Sequence, residues 1–161
     1  MISLKNCSKI TALIVGGILL NIVLLIGAEA LLEKQFSLGQ KLLAAKASPA
    51  ASEAFLDAFH TKDMWADFIV VPVIGCVIGI YAGILQKRGP AALAIACLAP
   101  ELLYEVISEP VRTWPAGLDI RYFGMRLVEL LLAAGLAIFL SAARKKEERK
   151  TRGAPAEHTA A

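Results

Sequence analysis

Four long apolar stretches, near residues 10–32, 65–86, 90–109 and 122–143, are separated by short polar segments. A helix rises 1.5 Å per residue, so about 20 apolar residues match the roughly 30 Å hydrocarbon layer of a bilayer. The pattern therefore predicts four transmembrane helices. Composition fits: 57% of residues are hydrophobic and only 19% charged, a balance that would leave large apolar patches on a soluble domain. The expected fold class is an all-α membrane protein. It consists of a four-transmembrane-helix bundle over residues 1–143 and a basic, disordered cytoplasmic tail over 144–161.

The polar segments add detail. Residues 33–64 form the longest, and Ser48-Pro49 within it reads as an N-cap followed by proline at the first helical position. Phe55 and Phe59 are four apart with Leu56 beside them, while Glu53 and Asp57 fall on other faces. This predicts a short amphipathic extracytoplasmic helix over 49–60, lying on the membrane surface or covering the bundle. Only Gln86, Lys87, Arg88, Gly89 and Pro90 join the second and third stretches, so those helices should be antiparallel neighbours.

Charge sets the orientation. With the amino terminus in the cytoplasm, the inner segments carry ten basic residues: Lys5, Lys9, Lys87, Arg88, Arg144, Lys145, Lys146, Arg149, Lys150 and Arg152. The outer segments carry six: Lys34, Lys41, Lys46, Lys62, Arg112 and Arg121. The excess places both termini in the cytoplasm and the chain in the cell (plasma or inner) membrane. Trp65, Trp114, Tyr122 and Phe123 collect at the opposite interface, where aromatic rings prefer to sit. Lys5, Lys9 and Ala28-Glu29-Ala30 also fit a cleaved secretory signal, but the apolar region, about 18 residues, exceeds the usual signal core. A retained first span is the expectation. Cys7 would be cytoplasmic, and Cys76 and Cys97 would lie within spans at similar depth, as small packing residues rather than a redox pair.

Two constellations stand out inside the spans. Gly75, Gly79 and Gly83 recur every fourth residue, a glycine-zipper strip that admits a closely packed helix. Its partner is either the first span, where Ala12, Gly16 and Gly17 offer a similar face, or another copy of the protein. In the third span Pro100 predicts a kink, with Glu101 and Glu105 following on one face. Helical rise puts Glu105 level with Arg126 of the fourth span, and Glu101 level with Glu129. Counting Glu29 and Asp67, five acids face one arginine within the spans. A charge near the bilayer centre costs several kcal/mol, so the acids that Arg126 does not balance must be protonated, reach the interface or hold a cation. Glu101, Glu105, Arg126 and Glu129 form the candidate intramembrane polar cluster. The plainer reading makes Glu105–Arg126 a packing ion pair, Asn21 an interhelical polar contact, and Glu29 and Asp67 interfacial residues.

The remaining chemistry is sparse. His60, Asp63 and Asp67 have ligand-like spacing, but with one histidine and no second cluster no metal is expected. No nucleophile motif, phosphate loop or haem-ligand pair occurs, so neither catalytic residues nor a cofactor are expected. The basic tail suits orientation and anionic lipid rather than nucleic acid. The sequence thus points first to a non-enzymatic accessory subunit or small homo-oligomer acting through helix–helix association, with the lipid bilayer and a membrane-protein partner or second copy as its contacts. The alternative is a small proton- or cation-coupled transporter or channel using the carboxylates. A lipid-modifying enzyme with Glu101 as acid or base ranks third, because no second catalytic element accompanies it.

Overall fold

The computed structural model describes residues 4–46, 48–113 and 120–153, and every element among them is helical. The order is α1 (Leu4–Phe36), α2 (Leu38–Ala45), α3 (Pro49–Trp65), a π-helical turn (Ala66–Val70), α4 (Val71–Leu85), α5 (Pro90–Thr113) and α6 (Ile120–Gly153). Three helical stretches, Ser8–Phe36, Pro49–Leu85 and Gly124–Arg149, are long and apolar enough to cross a membrane, as a multi-pass membrane protein requires. Where the hydropathy pattern predicts a fourth, the apolar part of α5 is the shorter segment Pro90–Tyr104.

Helix starts and stops follow local chemistry. Ser48 is extended (φ −158°, ψ 154°) and its hydroxyl accepts from the Ala51 amide at 3.2 Å, with Pro49 at the first helical position. Ser48→Ala should loosen this end of α3 by about 1 kcal/mol. Faster amide exchange at residues 51–53 would show it, and unchanged exchange would mean the cap contributes nothing. The α4–α5 connection turns at Gly89, whose φ of +70° suits a residue without a Cβ. Pro90 then opens α5, and the helix continues through Pro100 to Thr113.

Two segments depart from the sequence expectation. Residues 49–60 are not a separate surface helix: α3 runs through the π-turn straight into α4. No glycine or proline interrupts residues 50–71, so nothing stops the helix there. Pro72, lacking an amide hydrogen, is accommodated by the preceding turn, in which the Val71 amide bonds to the Ala66 carbonyl in the wider π pattern. At the other end, α6 continues to Gly153 instead of ending in a disordered tail at residue 144. The run Ala142–Lys150 consists of strong helix formers. It is also anchored: Lys87 pairs with Glu148 at 2.6 Å, and Arg144 donates to the Ile84 carbonyl at the end of α4. A cation there complements the helix dipole. Residues 154–161 lie outside the described ones.

The core forms where α4 meets α6. Ile74, Ile78 and Ala82 of α4, Leu93, Ala94, Cys97 and Leu98 of α5, and Ala133 and Ala137 of α6 make one buried cluster. A Cβ added at Gly75, Gly79 or Gly83 would fall 2.7 Å from the Glu129 carbonyl oxygen, 2.6 Å from that of Ala133, and 2.9 Å from the Leu140 Cβ, respectively. The glycine strip is therefore filled by α6, not by α1. Both helices advance four residues together from one contact to the next, so they run parallel. Gly17 serves a different contact, admitting Cys97 and Tyr81 beside α1. Cys97 consequently points toward α1, with Sγ 4.0 Å from the Ile14 carbonyl oxygen, and both it and Cys76 are free thiols. Helix α1 is otherwise the most exposed, with Val15, Leu19, Ile22, Val23 and Ile26 on its surface.

Candidate functional site

Buried residues on α6 recur as Arg126, Glu129, Ala133, Ala137 and Ser141, one stripe at helical spacing. The first two are charged and sit where α4, α5 and α1 converge. Gly75 makes this possible: without a side chain it leaves room for the Glu129 backbone and Cγ. Glu129 is completely buried and Arg126 is 8% exposed.

One guanidinium nitrogen joins two carboxylates. Arg126 Nη1 lies 2.7 Å from Glu101 Oε1 on α5 and 2.8 Å from Glu129 Oε2 on its own helix. The second oxygen of Glu101 accepts from the Asn21 side-chain amide on α1 at 2.7 Å. Residues from three helices thus meet in one polar junction, Asn21–Glu101–Arg126–Glu129. Ion pairs this well buried are stable only when the charges are matched. Here two carboxylates share one guanidinium nitrogen.

Helical rise alone levels Arg126 with Glu105; among the described side chains Arg126 also reaches Glu101, a turn deeper, because its side chain spans about the rise of a helical turn. Glu105 lies one turn further along α5, and its side chain is outside the described residues. Asn21, whose contact reads in the sequence as ordinary packing, is a direct member of the junction. The signal for it was its position as the polar residue interrupting the middle of the first apolar stretch.

A partly open cleft of about 420 Å³ reaches the Arg126 side of this junction. Its walls come from α1 (Leu25, Ala28, Glu29, Leu32), from α3 and the π-turn (Phe59, Lys62, Asp63, Ala66, Asp67, Val70), and from Val71. Glu29 is not a solitary interfacial acid: it pairs with Lys62, which is 7% exposed and lies 5.9 Å from the Phe59 ring centre. Asp63 and Asp67 line the cleft, whereas His60 is exposed and stacks edge-on against Phe59. The three residues with ligand-like spacing therefore part company. Next to the cleft, sharing Leu32, lies an apolar groove of about 410 Å³ formed by Leu31, Leu32, Gln35, Phe36 and Trp65. The Phe36 and Trp65 rings meet edge to face at 6.4 Å. Trp114 and the side chains of Tyr122 and Phe123 lie outside the described residues.

Comparisons with protein-family models, with curated proteins and with solved structures give no match to this chain.

Proposed function

We propose that the protein is a four-span membrane protein with cytoplasmic termini that binds and releases a proton or small cation at Glu101, as a proton- or cation-coupled transporter. The carrying observation is the buried junction in which two carboxylates share one guanidinium nitrogen. Glu129 lies three residues from Arg126 on the same helix and keeps its pairing whatever happens between helices. Glu101 reaches Arg126 and Asn21 from a different helix, so its contacts are the ones that can change. The Asn21 amide suits both forms of Glu101. Its NH₂ donates to the carboxylate, and turned over its carbonyl accepts from the protonated acid. The 420 Å³ cleft gives this junction access from one side.

The fourth span in this reading is α5, which carries Glu101 near its middle. The basic excess near residues 5–9, 87–88 and 144–152 supports cytoplasmic termini. Association with a partner subunit drew part of its support from the glycine strip, which the chain's own α6 covers, so we favour transport over it.

Proteoliposomes loaded with a pH-reporting dye test it. An imposed potential should drive proton or cation flux that Glu101→Gln lowers by about tenfold or more, as loss of an essential titrating group would. Flux that is equal in the wild type and Glu101→Gln would remove Glu101 from the mechanism.

A further inference from the structure

Past residue 143, α6 leaves its apolar run but stays helical, and two contacts with the end of α4 fix its rotation. Arg144 donates to the Ile84 carbonyl, and Glu148 pairs with Lys87. With those side chains held at α4, Ala142, Lys145, Lys146 and Arg149, at spacings of three and four, share an exposed face. Together they line an open recess of about 500 Å³. It forms because residue 142 carries only a methyl group beside three long cationic chains. Among the described residues no acid pairs with Lys145, Lys146 or Arg149. Glu147 falls on the opposite side of the helix. Like charges one turn apart repel, and an anion held among them relieves that repulsion.

The same face continues back into the apolar run. Leu131, Ile138 and Phe139 are exposed on it, and a Cβ added at Gly135 would meet nothing within 4 Å. One side of α6 thus joins an uncovered apolar strip to three cations at the point where the apolar run ends. That layout matches a molecule with a hydrocarbon tail and an anionic head at the membrane surface.

We propose that this face of α6 binds one anionic phospholipid, its phosphate in the recess among Lys145, Lys146 and Arg149 and its acyl chains along Ile138, Gly135 and Leu131. This is a defined site, beyond the diffuse attraction of a basic segment for a charged membrane. A second copy docked symmetrically through the same face would set the three cations against themselves. The site is separate from the Glu101 junction and does not depend on transport.

Native mass spectrometry of the full chain in mild detergent, titrated with dioleoyl-phosphatidylglycerol or dioleoyl-phosphatidylcholine, provides the test. One phosphatidylglycerol should bind with a Kd about tenfold or more below that of phosphatidylcholine. The triple variant Lys145→Gln, Lys146→Gln, Arg149→Gln should abolish the preference. Ala142→Trp, which fills the recess and leaves the charge unchanged, should raise the phosphatidylglycerol Kd by about fivefold or more. A second triple variant, Lys34→Gln, Lys41→Gln, Lys46→Gln, removes the same charge from α1, α2 and the turn after it, and should bind as the wild type does. No preference for phosphatidylglycerol would overturn the inference. So would equal losses in the two triple variants, which would reduce the attraction to net charge, or a Kd unmoved by Ala142→Trp. Displacement of the lipid by inorganic phosphate at the lipid's own concentration would overturn it in favour of a soluble anion. A dimer that Ala142→Trp dissociates would overturn it in favour of a second copy.

Discussion

Arg126→Leu is expected to destabilise the bundle by about 3–5 kcal/mol, since it strands two buried carboxylates without their shared cation. Glu101 and Glu129 are both within 2.8 Å of the same nitrogen, with side chains only 9% and 1% exposed. The loss should be visible as a lowered unfolding midpoint in mild detergent. Adding Glu101→Gln and Glu129→Gln to Arg126→Leu should recover a large part of it, because the neutral amides remove the uncompensated charge while keeping the shape. If Arg126→Leu unfolded at the wild-type midpoint, the junction would not be holding α5 and α6 together. If the triple variant were no better than the single, geometry rather than charge balance would be the cause.

The second large effect is expected at Gly79. Its missing side chain brings the α4 backbone against Ala133, where an added Cβ would sit 2.6 Å from a carbonyl oxygen and 3.0 Å from Cα. Backbone atoms cannot rotate aside as a flexible side chain can. Gly79→Ala should therefore cost about 1–3 kcal/mol and Gly79→Leu more, by forcing the parallel helices apart. Gly27 supplies the contrast. An added Cβ there meets nothing within 4 Å, so Gly27→Ala should leave stability unchanged or raise it by up to about 1 kcal/mol through helix propensity. Thermal melts of the three variants in one detergent settle the point. Equal behaviour of Gly79→Ala and Gly27→Ala would mean that the α4–α6 contact is looser than its geometry implies.

The two sites are linked. Gly75, in the same strip, is what allows Glu129 to lie against α4 and so places Arg126 at the head of the cleft. Close helix packing and the charged junction are one arrangement, which is why a strip that reads as an association motif also positions the intramembrane acids.

Much of this was legible from residue patterns. Apolar runs of bilayer length announced long membrane-compatible helices, because a backbone in lipid must satisfy its own hydrogen bonds and a helix does so locally. Ser48-Pro49 marked a helix start, and the short 86–90 segment a tight connection, through chemistry confined to a few residues. The acids in the third and fourth apolar stretches stood out because intramembrane charge is costly wherever it occurs.

Other features depend on which helix faces which. The spacing of Gly75, Gly79 and Gly83 showed that something packs closely, but α6 rather than α1 as the partner is a property of the assembled bundle. Depth arithmetic levelled Arg126 with Glu105, but did not show that its long guanidinium side chain also reaches Glu101 and Glu129. Asn21 joins the junction, and Lys62 neutralises Glu29, across separations of 80 and 33 residues that no local pattern encodes. The continuity of α3 into α4 and of α6 beyond residue 144 also exceeded the hydropathy boundaries, because a helix ends where its backbone bonding is interrupted rather than where its side chains turn polar. The sequence by itself determined that charged groups lie within long apolar helices, since composition and helical periodicity are local. Only the tertiary structure decided which charges meet and where a cleft reaches them, since both follow from how the helices rotate and slide against one another.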